Sequence, residues 1–296
     1  MDKAEEALVL SVLLVNYNDR VHLSHCLASL KGQMESFSHE IIVVDNDSSD
    51  GSQEFIRENY PDVRLICNSE NVGFAQANNI GLRECAGKFI LLLNTDTVVM
   101  PEAIDVLMKA IQSDPGFGAV GPALLLKEDK FQISFGRKVS FWPELLQKGF
   151  LNHFYRIWLK LSRRPRSVGW LSAACLLVKH QVLRDVGFFD ANFFLYFEDI
   201  DLCVRIRNSG HNLLYHPQAR VFHVGGATTS YLPLLSRFHY RKSQIYFYQK
   251  HNSKMAIFLL RSYLWLSFKL NLLSGYLRGA TDLEERRKLI GLLREQ

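Results

Sequence analysis

Residues 89–96 read Phe-Ile-Leu-Leu-Leu-Asn-Thr-Asp, an unbroken apolar run that ends in polar residues. Five apolar residues without alternation predict a short strand buried on both faces, which is typical of a parallel sheet covered by helices. Asp96 should then emerge at the carboxyl end of this strand, where open α/β sheets bind their ligands. This stretch therefore predicts both a fold class and the place of a ligand site.

The first 120 residues repeat the same alternation of buried strand and helix. Asp19 and Asp50 are suited to begin helices, Gly32 and Pro61 to end them, and Pro101 to be the first residue of another. Strand signals lie at residues 8–15, 41–44, 63–66 and 89–93. The order predicts an α/β fold with a doubly wound, mostly parallel sheet and helices on both faces.

The remaining chain predicts the domain organisation. We expect a catalytic unit over residues 1–228, with a nucleotide-sugar-binding half at 8–120 and an acceptor half at 121–228. Within the second half, residues 127–168 are basic and aromatic without a clear period, which indicates an excursion from the sheet. Residues 229–296 are predicted to form a helical, basic C-terminal appendage.

Composition narrows the class of protein. Apolar residues make up 48% of the 296 residues, as in globular proteins, and the five cysteines have no Cys-x-x-Cys spacing. This pattern indicates neither a disulfide framework nor a zinc site, and it favours a reducing cytosol. The acidic residues near Met1 and the short apolar run after them are not typical of a signal peptide or a membrane span.

The net charge of +5 is unevenly distributed. Residues 137–166 carry eight Lys or Arg against one acidic residue, and residues 229–296 carry twelve against four, so the rest of the chain is acidic. An acidic core needs a metal cation or backbone donors to hold an anionic nucleotide, whereas the basic regions favour an anionic surface. Two solvated basic faces are the alternative, and no nucleic acid partner is expected.

Four predicted strands end in polar residues, at 16–18, 45–52, 68–73 and 94–96. Parallel strands bring these ends to one edge of the sheet. There Asp45 can accept a hydrogen bond from a nucleobase N–H, Asn and Ser groups can bond ribose hydroxyls, and Gly73 allows a close backbone approach. Each polar end alone is also typical of a turn or a helix cap, but together they predict a nucleotide site.

A second acidic cluster, Glu198-Asp199-Ile200-Asp201, precedes a helical pattern that is closed by Gly210. It predicts carboxylates in the first turn of a helix. Asp201 and Arg205 have the i,i+4 spacing of a structural ion pair. With the cluster at Asp96, this arrangement predicts one site for a metal-bound leaving group and one for a general base, as in a transferase that uses a phosphorylated sugar donor.

These motifs resemble those of the family-2 glycosyltransferases of GT-A (Rossmann-like) fold, in particular the rhamnosyltransferase-like branch that builds bacterial surface polysaccharides. The matching blocks lie at residues 15–18, 43–52, 71–75, 93–96, 187–190, 194–205 and 223–226. The resemblance implies inverting transfer of a sugar from a nucleotide-diphosphate donor, for which we expect dTDP-rhamnose, to a hydroxyl of a lipid-linked or surface-polysaccharide acceptor.

The resemblance also implies roles for individual residues. Nucleotide binding is implied for Val15, Asn16, Tyr17, Asp45, Asn71, Gly73, Phe74, Asn78, Asn94 and Thr95. Catalysis is implied for Asp199 as general base together with Glu198, a divalent metal for Asp96 and His223, and acceptor binding for Trp170 and Tyr196. A hard Mg²⁺ or Mn²⁺ suits a carboxylate and phosphate oxygens, and an imidazole ligand favours Mn²⁺. A buried His223 satisfied by backbone is the alternative.

Three residues depart from the family pattern, and the sequence also bears on two other functions. Asn94 replaces the first carboxylate of the usual Asp-x-Asp, Gly169 replaces an acidic residue, and Ala173 replaces a common glycine. A sugar-nucleotide pyrophosphorylase would need a Gly-rich phosphate loop after the first strand, and residues 16–19 provide none. A non-catalytic nucleotide-sugar scaffold or sensor would not need the base at Asp199.

Residues 254–278 are strongly apolar, but Arg261 and Lys269 interrupt them. On a helix, Lys254, Arg261 and Lys269 fall within about a quarter-turn at roughly 100° per residue, which is typical of an interfacial helix. Packing against the catalytic domain or in a homodimer is the alternative. We expect a cytoplasmic protein that is peripheral on the inner face of the cytoplasmic membrane.

Overall fold

The computed structural model describes residues 8–126, 130–142, 144, 164–225, 233–277 and 291. Its strands are β1 Leu10–Asn16, β2 His39–Asp45, β3 Arg64–Cys67, β4 Phe89–Asn94, β5 Thr97–Val99, β6 Phe117–Leu126, β7 Lys130–Phe131, β8 Phe135–Gly136, β9 Arg166–Val168, β10 Trp170–Leu171, β11 Cys175–Lys179 and β12 Asn212–His223. Its helices are α1 Arg20–Leu30, α2 Ser52–Asn59, α3 Phe74–Leu82, α4 Ala103–Gln112, α5 His180–Val186, α6 Glu198–Asn208, α7 Pro233–His251 and α8 Lys254–Leu277.

A single large sheet organises the fold in the order β3-β2-β1-β4-β11-β6-β12-β5, with β7 beside β6 and β9 beside β12. Strands β1 to β4 are parallel, β11 runs antiparallel between β4 and β6, and β12 is parallel to β6. Two hydrophobic clusters cover the two faces of this sheet. The predicted α/β fold with a mostly parallel sheet is confirmed.

Strand register brings the polar strand ends together. Asn16 at the end of β1 pairs with Asp45 at the end of β2, and Val15 pairs with Asn94 at the end of β4. Because β1 lies between β2 and β4, these ends form one edge, as the apolar runs predicted. On the far side of the sheet, His223 at the end of β12 pairs with Thr97 of β5, directly after Asp96.

Several element boundaries differ from those predicted. Helix α4 begins at Ala103, because Pro101 and Glu102 form a turn in which Glu102 has a φ of 64°. Strand β6 continues through Gly121 and Pro122, so the sheet crosses the predicted division after residue 120. Most of the predicted excursion at 127–168 lies outside the described residues.

Helices α7 and α8 differ in how they pack. Ile245, Phe247 and Tyr248 of α7 are buried in the same cluster as residues of β11 and α6. The first helix of the predicted C-terminal appendage is thus part of the catalytic core. Helix α8 adds only one narrow face to this cluster, and much of its remaining surface is exposed.

Candidate active site

A cavity of about 650 Å³ opens at the carboxyl edge of the sheet. It is lined by Val15, Tyr17, Asn46, Asn71, Gly73, Phe74, Asn94, Thr95, Asp96, Leu126, Gln132, Ser172, Ala173, Ala174, Phe194, Leu195, Tyr196, Glu198, Asp199, His223, Val224 and Gly225. Its walls combine an amide-rich side from the β1 to β4 ends with an aromatic side from the segment before α6. Cavities of a few hundred Å³ with a few converging polar groups are typical of small-molecule sites.

Twelve of the predicted site residues line this cavity: Val15, Tyr17, Asn71, Gly73, Phe74, Asn94, Thr95, Asp96, Tyr196, Glu198, Asp199 and His223. Four others, Asn16, Asp45, Asn78 and Trp170, lie outside its lining. Among the lining residues that the sequence analysis did not select, Gln132 and Ser172 are polar and Phe194 and Leu195 apolar. None of these four lies in a polar cluster after a predicted strand, the signal that marked the strand-end residues, whereas Asn46, which was also not selected, does.

Asp96 and His223 form the polar centre of one wall. His223 Nε2 lies 3.1 Å from Asp96 Oδ1, and the Gly225 N–H donates to Asp96 Oδ2 at 3.1 Å. On the other side of the imidazole, Nδ1 lies 2.8 Å from Gln132 Oε1. Both Asp96 and His223 are buried. Within the described part of the chain, both ring nitrogens of His223 therefore lie against side chains.

The chemistry of this wall fits a cation that takes most of its ligands from elsewhere. Asp96 and His223 offer a carboxylate and an imidazole, and the buried Oδ1 of Asn94 has no hydrogen-bond partner among the described residues. Within the described ranges, no group of three His, Cys, Asp or Glu side chains could hold a metal alone. Diphosphate oxygens and water would have to complete the coordination of Mg²⁺ or Mn²⁺.

Asp19 supports this wall from below, a role that the sequence analysis missed. It occupies the position before α1 but makes no side-chain capping bond, contrary to the prediction. Instead, Thr95 Oγ1 donates to Asp19 Oδ2 at 3.2 Å, and His22 Nδ1 lies 2.5 Å from Asp19 Oδ1. Burial raises the pKa of Asp19. The residue before α1 thereby holds the turn that presents Asn94 and Asp96.

Asp45 lies beneath the amide-rich side of the cavity and is fully buried. Its carboxylate accepts hydrogen bonds from Asn16 Nδ2 at 2.8 Å, Ser48 N at 3.0 Å and Gln53 Nε2 at 2.7 Å. These bonds shape the turn between β2 and α2. Asn46, one residue later, is the neighbour that faces the cavity, because its polar side chain bonds Asn71 there at 2.8 Å.

Gly73 joins the two walls. Its φ is 84°, and a Cβ there would lie 2.6 Å from Cδ2 and 2.7 Å from the carbonyl oxygen of Phe194. The Phe74 N–H donates to the same oxygen at 2.8 Å. The close backbone approach predicted for Gly73 is therefore to Phe194, and only glycine fits this left-handed, crowded position.

Glu198 and Asp199 begin α6, as predicted, directly after Tyr196 and Phe197, whose φ values are 68° and 66°. Such strained non-glycine residues cluster at functional sites. Within the described residues, the donors to the Asp199 carboxylate are backbone N–H groups, those of Ala173 at 3.2 Å and Ile200 at 2.8 Å.

The pKa values of both carboxyl groups of this pair are raised. Burial raises the pKa of Asp199 above the usual aspartate range. Burial, and then the charge of Asp199, raises the pKa of Glu198 well above its usual range. Glu198 is 5% exposed, and its Oε2 has no hydrogen-bond partner in the described part of the chain. A neighbouring carboxyl pair whose pKa values are raised is suited to proton transfer.

Helix α7 supports the aromatic wall. Tyr196 Oη lies 2.7 Å from Ser236 Oγ, Ser243 Oγ donates to the Leu195 carbonyl at 2.8 Å, and the Phe194 ring stacks on His239 with centroids 4.4 Å apart. The segment at 194–196 is therefore positioned by a helix that the sequence analysis had placed in a separate appendage.

Trp170 and Gly169 lie away from the cavity lining. The Trp170 indole packs over Gly136, and a Cβ at Gly169 would overlap the carbonyl oxygen of Arg137. Gly169 N donates to the Gly136 carbonyl at 2.6 Å. This tight backbone contact is the physical reason that residue 169 cannot be acidic here.

The predicted ion pair between Asp201 and Arg205 is confirmed, with Nε to Oδ2 at 2.8 Å. Asp201 also lies 2.8 Å from Lys250 Nζ and 2.6 Å from His251 Nε2. Although burial raises the pKa of Asp201, the hydrogen bonds of His251 and Lys250 bring it below the usual value. This carboxylate therefore fastens α6 to α7 through its ion pairs with Arg205, Lys250 and His251.

The sheet order, the turn at Asp96 and the acidic start of α6 around one cavity define a glycosyltransferase of GT-A fold. Two solved structures share this fold. A mannosyltransferase from Pyrobaculum calidifontis in complex with GDP-Man and Mn²⁺ aligns with a TM-score of 0.60 at 16% identity, over 98% of this chain and 85% of that one. GalNAc-T7 with UDP, GalNAc and Mn²⁺ aligns with a TM-score of 0.58 at 18% identity, over 74% and 44%.

The sequence comparisons name the family. The profile described as Glycosyl transferase family 2 matches residues 11–167. The N-acetylglucosaminyl-diphospho-decaprenol L-rhamnosyltransferase of Mycobacterium tuberculosis is 31% identical over 268 residues, which cover 82% of this chain and 85% of that protein. The chain belongs to glycosyl transferase family 2 and is a glycosyltransferase enzyme.

Proposed function

We propose that this enzyme transfers a sugar, with inversion, from a nucleotide-diphosphate donor to a hydroxyl of a lipid-linked glycan acceptor. The observation that carries the proposal is that the Asp96–His223 pair and the Glu198–Asp199 pair line one cavity. Displacement at an anomeric carbon needs charge compensation for the leaving diphosphate and a base for the attacking hydroxyl. A single carboxylate does not serve both ends of such a displacement.

The donor side would hold the nucleotide-sugar and its cation. Asn46, Asn71 and Tyr17 supply hydrogen-bonding groups along the amide-rich wall, while Asp96 and His223 would hold Mn²⁺ or Mg²⁺. A bound divalent cation compensates the negative charge that develops on a departing diphosphate. The Mn²⁺ in the two solved complexes supports a divalent metal.

The acceptor side would supply the base. Asp199 faces the cavity, and its raised pKa makes it a stronger proton acceptor than an exposed aspartate. The N–H groups of Ala173 and Ile200 fix the carboxylate before the acceptor arrives. Glu198, with its unpartnered Oε2, would bond a hydroxyl of the acceptor or the donor sugar.

The choice of sugar and acceptor rests on the name of the mycobacterial relative. The mycobacterial relative, by its name, transfers L-rhamnose to N-acetylglucosaminyl-diphospho-decaprenol. Rhamnose is a 6-deoxy sugar, and the apolar side chains of Leu126, Leu195 and Val224 in the cavity suit its methyl group. We therefore propose dTDP-rhamnose as donor and a polyprenyl-diphosphate glycan as acceptor, used on the cytoplasmic side of a membrane.

A two-stage experiment tests this function. UDP-, dTDP- and GDP-sugars are first screened by thermal shift with and without Mn²⁺, because a ligand that binds only the native state raises the melting temperature. The stabilising donor is then incubated with a polyprenyl-diphosphate N-acetylglucosamine, and the anomeric configuration of the product is read by NMR. We expect dTDP-rhamnose to stabilise most and the configuration to invert. Donor binding without transfer to any glycan acceptor would contradict the proposal.

A further inference from the structure

The exposed apolar surface of the described residues is concentrated on α8. Of the twelve large apolar side chains with high exposure, seven lie on this one helix. Six form an outward stripe, with exposures of 66% for Met255, 65% for Phe258, 47% for Trp265, 53% for Leu266, 57% for Leu270 and 56% for Leu273. We call these six side chains the docking face. Soluble monomers rarely expose a contiguous apolar patch of this kind.

The opposite face of α8 is packed against the protein. Leu260, Leu264 and Phe268, spaced four residues apart, are 3%, 0% and 7% exposed and belong to the core cluster of the catalytic domain. By length and composition, 254–274 could also cross a membrane. A helix that crossed a membrane would have to remove these three side chains from the core, so the packed helix is placed to lie along a membrane surface.

Charge indicates what covers the docking face. Residues 254–277 contain no Asp or Glu, and Lys254 and Lys269 are exposed beside the apolar stripe. Lys269 Nζ lies 4.3 Å from the centroid of the Trp265 ring, an amphipathic pair suited to the level of lipid headgroups. A twofold contact between two copies would instead bring these like charges together.

The docking face is mechanically linked to the active site. Helix α8 packs on α7, and α7 holds the cavity wall through Ser236, His239 and Ser243. Tyr263 of α8 also meets Phe141, with ring centroids 6.4 Å apart. The docking face is therefore separated from the segment at 194–196 by the thickness of α8 and α7.

We propose that the docking face of α8 binds an anionic lipid bilayer, with the helix lying in the headgroup region and the cavity held beside the membrane. This inference rests on the proposed function only for its purpose, namely access to a lipid-linked acceptor. The surface itself is defined by exposure, packing and charge. Apolar burial supplies one part of the binding, and attraction of the lysines to anionic headgroups supplies the other.

The test uses the full-length chain and flotation with two kinds of vesicle, phosphatidylcholine alone and phosphatidylcholine mixed with phosphatidylglycerol. Trp265→Glu with Leu266→Glu should lower partitioning onto the mixed vesicles at least about 10-fold, because two charges enter the apolar stripe. Lys254→Glu with Lys269→Glu should lower it by a similar factor while leaving the apolar stripe intact. Val21→Glu, at an apolar position of α1 that is 65% exposed, is the matched control and should bind like the wild type.

Further measurements decide between membrane binding and the alternative occupants of the docking face. Salt should weaken wild-type binding without removing it, since screening acts only on the electrostatic part. Wild-type protein that ignores mixed vesicles at low salt would overturn the proposal. So would unchanged binding of both double variants, or a wild-type dimer in sedimentation that the Trp265 and Leu266 changes dissociate. Thermal shift by the donor is measured on every variant, so a failure of nucleotide binding is seen separately from a failure of membrane binding.

Discussion

The two acidic sites of the cavity differ in what surrounds their carboxylates. Asp96 is held by the imidazole of His223 and the N–H of Gly225. Asp199 has backbone donors, and its neighbour Glu198 keeps an unpartnered oxygen within the described residues. The first environment pairs the carboxylate with an imidazole and a backbone N–H, whereas burial in the second raises the pKa of both carboxyls. Surroundings, and not residue type, would separate the proposed metal site from the proposed base.

The largest effect should follow from Asp199→Asn. The amide keeps the size of the side chain but cannot accept the acceptor's proton, so transfer should fall by about 100-fold or more, the usual contribution of a general base. The measurement is the single-turnover transfer rate at saturating donor. A rate within a few-fold of the wild type would assign the base to Glu198 or to another group.

Glu198 should respond differently to two substitutions. Glu198→Gln keeps a hydrogen-bonding group at the position of Oε2, so transfer should fall by no more than about 10-fold. Glu198→Ala removes the hydrogen bond to the substrate, so transfer should fall further. Comparing kcat/KM for the two variants checks this. If the Gln variant is as inactive as Asp199→Asn, the two carboxyls share the role of base.

The raised pKa of Glu198 also has a consequence for stability. A carboxyl whose folded pKa lies above its unfolded value stabilises the protein at low pH, and this stabilisation is lost as the pH rises through the folded pKa. Replacement by a neutral amide removes that loss. The unfolding free energy of Glu198→Gln should therefore rise relative to that of the wild type between pH 5 and pH 8. Urea unfolding at the two pH values measures the difference in unfolding free energy between the variant and the wild type. A difference that does not change with pH would mean that the pKa of Glu198 is not raised.

The smallest effect is expected at the support of the aromatic wall. Ser236→Ala removes the hydrogen bond between Ser236 and Tyr196, which should be worth about 1 kcal/mol. We expect a several-fold rise in the KM for the acceptor with little change in donor affinity. Ser262→Ala, an exposed serine on α8, is the control. A matching loss of donor affinity would mean that α7 supports the whole cavity and not one wall.

Sequence patterns predicted the parts of this site that depend on local signals. The apolar runs of β1, β2 and β4 end in polar residues, and parallel register alone brings those ends together. The acidic start of α6 was likewise visible in its helical pattern. These features need only periodicity and strand direction, both of which are written in short stretches of sequence.

The remaining parts depend on contacts between distant segments. Asp45 was predicted to face the nucleotide, but its carboxylate lies beneath the cavity and accepts hydrogen bonds from Asn16 of β1, Ser48 of the following turn and Gln53 of α2. Asp19 was predicted to cap a helix, yet it bonds Thr95, 76 residues away. The support of residues 194–196 by α7 gave no signal, because the composition of that helix is basic and aromatic and gives no indication of burial. Tertiary packing, which decided these cases, is not encoded by spacing.

The proposed roles of Asp96 in cation binding and of Asp199 in accepting the proton are tested most directly by calorimetric titration of the donor, in Mn²⁺ and in excess chelator. Wild type, Asp96→Asn and Asp199→Asn are compared. The account predicts that Asp199→Asn retains the wild-type gain in donor affinity from Mn²⁺, because its carboxylate acts on the acceptor, and that Asp96→Asn loses this gain. Equal donor affinity of the wild type in Mn²⁺ and in chelator, or an unchanged Mn²⁺ gain in Asp96→Asn, would contradict it.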